Sequence, residues 1–204
     1  MKKLHINIET IKLEGRPHKV LKPPVDDIDK CIQNLSRATE ETKAIIYKYS
    51  GTNQGKQYKI ACNTITEFSH DLYEASIVFN DIQNQLVAFA NKAAIVDEDR
   101  NLLSRPRKLE VSVVKLKVNE GVVYFRRSEM IIVRDKLKAY VETCDRAVKT
   151  LKAKTSQLHA VWKDSQKDDY CKMVDEICAI ITKSSKVLLG YHDYLSRKIF
   201  ELDS

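Results

Sequence analysis

The sequence predicts a mostly α-helical protein: two tandem helix-turn-helix hairpins packed as an intramolecular four-helix bundle, each hairpin preceded by a short β-hairpin. Three observations lead there. The chain has 204 residues, 43% of them hydrophobic, with only 5 Gly and 4 Pro. That is enough to bury a core, with too few turn formers for an all-β fold. Long stretches carry apolar residues at alternating steps of three and four, the spacing that keeps one narrow helix face against a partner. Two of these stretches match when displaced by 113 positions, so that Cys31 meets Cys144, Thr42 meets Thr155 and Tyr49 meets Trp162.

From the start of the chain, Leu4, Ile6, Ile8, Ile11 and Leu13 largely alternate with polar residues, and Glu14-Gly15-Arg16-Pro17 breaks the run. A return through His18 to Lys22 completes an expected β-hairpin, stopped by Pro23-Pro24. Pro24 suits the first position of a helix, and Asp26 and Asp27 lie where carboxylates favour the helix dipole. That helix shows Ile28, Cys31, Leu35, Ala38, Thr42, Ile45 and Tyr49 as its seam. Residues 50–55 are a turn by composition. A second helix then runs from Tyr58 through Cys62, Ile65, Phe68 and Leu72 to about Ala94. Residues 1–95 form the first copy and 96–109 a linker.

The second copy, 110–204, repeats the plan. Residues 110–118 alternate with one slip, Asn119-Glu120-Gly121 is a turn, and Val122 to Phe125 is an apolar return strand. Ser128 can cap the next helix, whose seam is Leu137, Val141, Cys144, Val148, Leu151, Thr155, Leu158 and Trp162. The polar stretch Asp164 to Asp169 has nothing to bury, and Tyr170 opens a last seam through Val174, Ile177, Ile181, Leu188, Tyr191 and Leu195. A lone hairpin would leave apolar surface wet at about 25 cal/mol per Å². Packing of one copy on the other removes that cost; pairing between chains would do the same.

Trp162-Lys163-Asp164 between two heptad helices, with an aromatic at Tyr170 eight residues on, resembles the Trp-x-Gly turn of the WXG100 (ESAT-6-like) family of small helical hairpins associated with type VII secretion. In the first copy Tyr49-Ser50-Gly51 keeps the Gly and replaces the Trp, with Tyr58 nine residues on. The resemblance covers both hairpins, about 24–94 and 128–204. It implies a bacterial interaction protein whose partner is a helical hairpin of a secreted effector or the secretion machinery. It also implies a leaderless route of export, or a cytoplasmic stage before it. The hairpin-tip residues for such a partner are Tyr49, Gly51, Tyr58, Trp162, Asp164 and Tyr170. Read from the residues alone, the same aromatics are seam-closing tip residues. None of the nine Tyr has Asp or Glu four residues on, the spacing of the export signal that family members or their partners carry.

The net charge of +7 concentrates between Asp99 and Arg127, where eight basic residues face three acidic ones. Arg105, Arg107, Lys108, Lys115, Lys117, Arg126 and Arg127 make a basic strip. It could meet an acidic surface or nucleic acid, or carry the charges that blunt a strand edge. The scarcity of interleaved aromatics beyond Tyr124 and Phe125 counts against nucleic acid. A ligand for a host receptor is a third function class, which the sequence does not separate from an exported partner. The five Cys have no C-x-x-C spacing, and Cys144 and Cys178 lie too far apart along their hairpin to bridge, as do Cys31 and Cys62. Free thiols in a reducing setting are expected. The usual phosphate-loop, zinc-protease and serine-hydrolase motifs are missing and the five His are scattered, so no enzyme, cofactor or metal is expected. The first residues alternate in place of the apolar run of a signal peptide, and no stretch has the roughly 18 apolar residues of a membrane span.

Overall fold

The computed structural model describes residues 6–49, 55–96, 102–103 and 126–204, and among them the protein is a helical bundle. Four long helices follow in order: α1 (Pro17–Lys48), α2 (Lys56–Val96), α3 (Arg127–Val161) and α4 (Gln166–Asp203). Helix α1 ends at Lys48 and α3 at Val161, so Tyr49 and Trp162 each directly follow a helix end, 113 positions apart. None of the four helices is long and apolar enough to cross a membrane.

The expected first β-hairpin is corrected. Residues 6–14 form an extended strap with one turn, Thr10 N donating to Asn7 O at 3.2 Å, and 18–22 belong to α1. No named strand occurs among the described residues. Three-and-four spacing decides the matter: Leu21, Val25 and Ile28 share a helical face and are almost fully buried, whereas alternation through 18–22 would bury Leu21 alone. That burial also outweighs Pro23 and Pro24 inside α1, which leave the carbonyls of Lys19 and Val20 without their helical donors. Helix α1 therefore starts at Pro17, where a missing N–H costs nothing. Gly15 makes the turn into it at φ +96°, and a Cβ there would lie 3.1 Å from Val20 Cγ1. The second expected β-hairpin, over 110–125, lies outside the described residues. Ser128 is inside α3 and does not cap it; Arg126 O accepts the first bond, from Met130 N at 3.0 Å.

The chain forms two compact units. Unit 1 holds 1–33, 74–110 and 147–179; unit 2 holds 34–73, 111–146 and 180–204. Each unit thus takes a stretch of all four helices and draws on both expected copies. Unit 1 is built around Ile28, Ile32, Phe79, Ile82, Leu158 and Trp162, all at 0–1% exposure. Here Cys31 Sγ reaches Ala147 O at 3.6 Å, and Lys154 pairs with Asp27 at 2.8 Å. Unit 2 has an aromatic core, with Tyr58 edge-on to Tyr191 and Phe68 edge-on to Tyr140, both at 6.4 Å. The Tyr140 hydroxyl lies 3.1 Å from Thr39 Oγ1. A bidentate pair, Arg127 to Asp203 with one arm at 2.9 Å, ties the start of α3 to the end of α4.

The seams of α2 and α4 run as expected, from Tyr58 to Leu86 and from Tyr170 to Leu195. Those of α1 and α3 lie partly one residue aside. Thr39 and Ile46 are buried in place of Ala38 and Ile45, and Tyr140 and Ala147 in place of Val141 and Val148.

Candidate functional site

The α3–α4 turn in unit 1 collects a dense polar network. Helix α3 runs one bond past its end, Trp162 N donating to Leu158 O at 2.9 Å, and drops the indole into the core at 0% exposure. The ring lies 5.9 Å from that of Tyr170, tilted by 40°. Its N–H donates to Asp164 Oδ2 at 2.6 Å. Asp164 also accepts from Gln166 N at 2.9 Å, as a residue opening a helix does, and from Lys12 N at 2.9 Å. Burial pushes the Asp164 carboxyl up, yet these hydrogen bonds from Lys12, Gln166 and Trp162 prevail and hold it below the ordinary carboxylate value. Asp164 thereby fastens the indole, the helix start and the strap together.

The strap completes the site. Leu13 and Trp162 form an antiparallel bridge, with Glu14 N donating to Val161 O at 2.8 Å and Lys163 N to Lys12 O at 2.7 Å. Asn7 N donates to Gln166 Oε1 at 2.6 Å, and Ile6 N to Gln85 Oε1 on α2 at 3.0 Å. Ile6 and Ile11 are buried, at 1% and 6% exposure. Lys163 pairs with Glu14 at 2.8 Å and keeps that carboxyl below its usual value through a hydrogen bond and its charge. Trp162, Asp164 and Tyr170 thus come together in unit 1. Lys12, Gln85 and Gln166 were not legible as site residues, since only the alternation of 4–13 hinted at an extended segment.

The other tip residues lie in unit 2. Tyr49 is half-buried beneath Lys48 Nζ, 5.2 Å from its ring centre, and Tyr58 is buried against Tyr191. Gly51 lies outside the described residues, as do Arg105, Arg107, Lys108, Lys115 and Lys117 of the basic strip. Of that strip, Arg126 pairs with Glu129 at 3.3 Å and Arg127 with Asp203.

A groove of about 380 Å³ between α3 and α4 of unit 1 is lined by Lys152, Thr155, His159, Cys171 and Asp175. His159 Nε2 lies 3.5 Å from Asp168 Oδ1, at the exposed surface. Burial, then the carboxylates of Asp168 and Asp175, push the Cys171 thiol above its ordinary value. That keeps it protonated, the opposite of nucleophile activation. All five Cys are free thiols, and no cluster of three or more metal-ligating side chains occurs among the described residues. Deeper in unit 1, Asp29 on α1 sits beside Gln83 on α2; burial raises its carboxyl to about 6, the Gln83 amide opposes this and Asp26 adds to it.

Comparison with family models, with curated proteins and with solved structures gave no match.

Proposed function

We propose that the protein is a non-enzymatic interaction module of the tandem WXG100-like kind, exported by a type VII secretion system or acting as a targeting partner for it. Its contribution is a helical surface and a hairpin tip offered to another protein. The observation that carries this reading is the Trp162-Lys163-Asp164 turn, set between two long helices with Tyr170 against the indole. The first helix of the chain ends in the same register 113 residues earlier, at an aromatic, Tyr49. The lack of a Tyr-x-x-x-Asp/Glu signal at any of the nine Tyr favours the targeting-partner form, in which the signal is carried by the bound protein.

Affinity-tagged protein recovered from a bacterium with an intact secretion system tests this directly. The expected result is a stoichiometric helical partner, and appearance of the pair in the medium that stops when the secretion ATPase is deleted. Recovery without any partner, together with an unchanged distribution in the ATPase deletion, would overturn the proposal. Binding to an acidic surface is the weaker reading, because Arg126 and Arg127 are already ion-paired. It would show as nucleic-acid or anionic-vesicle affinity that collapses steeply with salt.

A further inference from the structure

The geometry points to the α3–α4 tip being a receptor for an extended peptide segment, with residues 6–14 of the chain occupying that receptor in cis. The strap makes little structure of its own. Apart from the Asn7–Thr10 turn and Glu9 N on Asn7 Oδ1 at 3.1 Å, its main-chain bonds go to residues far along the sequence. Ile6 N, Asn7 N, Lys12 N, Lys12 O and Glu14 N are taken by Gln85, Gln166, Asp164, Lys163 and Val161. Two side chains, Ile6 and Ile11, are buried, while Asn7, Glu9, Thr10 and Lys12 face solvent. Recognition therefore consists of main-chain pairing and two apolar anchors five residues apart, the logic by which a peptide adds to an open edge. Nothing in it requires the segment to be covalently part of this chain.

The receiving side is fixed and incomplete without a visitor. Val161 O belongs to the last turn of α3 and Lys163 N lies beyond it, so neither has a helical partner. Trp162 and Asp164 between them are held by the core and by the start of α4. The partner class follows: an extended segment of another protein, running antiparallel to 161–163, with apolar side chains spaced like Ile6 and Ile11. The strap excludes it by tethering, since a covalently linked competitor acts at an effective concentration of about millimolar. This rests on the reading of the tip as a partner surface, but the test below reads the tip alone and is blind to the export route. Failure of one leaves the other standing.

The test uses the full chain and a fluorescent peptide with the sequence of residues 6–16. A double variant, Ile6→Asp with Ile11→Asp, weakens the strap while leaving the receiving groups untouched. The variant is expected to bind the peptide at least about 100-fold more tightly than the wild type. The same peptide N-methylated at Lys12 and Glu14, which removes both N–H donors, is expected to lose at least about tenfold. A folded variant that ignores the peptide, or binds the methylated form equally well, would overturn the inference. Hydrogen exchange on the wild type gives an independent check should the variant not fold. Amides of Lys12, Glu14 and Lys163 are expected to exchange well before those of mid-α3; exchange only with global unfolding would make the strap a permanent staple and sink the proposal.

Discussion

Asp164 accepts hydrogen bonds from an indole N–H and two backbone N–H groups, and its replacement would strand all three. Asp164→Ala is expected to destabilise the protein by about 2 kcal/mol, read as a lower urea midpoint at unchanged m. Its carboxyl is depressed in the folded state. The stability it gives is present above the unfolded value of about 3.9 and is lost as pH falls through the lower folded value. Asp29 has the opposite sign. Its folded carboxyl is raised to about 6, so its contribution is fully present below about pH 4 and is lost as pH rises through 6. Asp29 is partly open to solvent, which limits the effect to under about 1 kcal/mol. Asp29→Asn should therefore flatten the stability profile between about pH 4 and 6.5 and leave the Asp164 acid limb below it intact, measured by urea titration at several pH values. Trp162 and Tyr170 were legible from sequence because large aromatics at seam positions have few alternatives to burial. Asp29 was not, since nothing local marks a carboxylate that packs beside a glutamine fifty-four residues away.

In helices α2 and α4 the expected seam residues are buried, and adjacent apolar pairs such as Leu86-Val87 and Met173-Val174 widen the buried face without displacing them. The seams of α1 and α3 contain neighbouring apolar pairs such as Tyr140-Val141 and Ala147-Val148, and periodicity alone does not choose between them. The structure chooses by partner. Small Ala147 lets Cys31 Sγ come within 3.6 Å of its carbonyl, and Tyr140 finds the hydroxyl of Thr39. The start of α1 is hidden in the sequence because Pro23-Pro24 carries the signature of a stop, whereas Leu21, Val25 and Ile28 bury enough area to carry the helix through them. Pro23 is exposed and Pro24 buried, which separates their effects. Pro23→Ala restores a helical donor at little loss of contact and is expected to stabilise by about 1–2 kcal/mol; Pro24→Ala should gain less. Thermal unfolding of the two variants checks this. A Pro23→Ala protein less stable than wild type would show that the kink itself is needed.

Every helix passes through both compact units, so neither unit has an element of its own to retain when the other is lost. Leu137 is fully buried in unit 2, and Leu137→Ala is expected to cost about 2–5 kcal/mol. Trp162, the single Trp, reports from unit 1. Its fluorescence and the far-ultraviolet circular dichroism of that variant should therefore lose native signal at one shared denaturant midpoint; two midpoints would mean that the units melt separately. The strap, for its part, sets an order of events during synthesis. Its receiving groups at 161–166 leave the ribosome about 150 residues after Lys12, a wait of roughly 8–30 s at about 5–20 residues per second. Through that interval the nascent strap, and whatever apolar surface α1 and α2 do not bury on each other, must be tolerated, or shielded by a chaperone, with α3 and α4 not yet made.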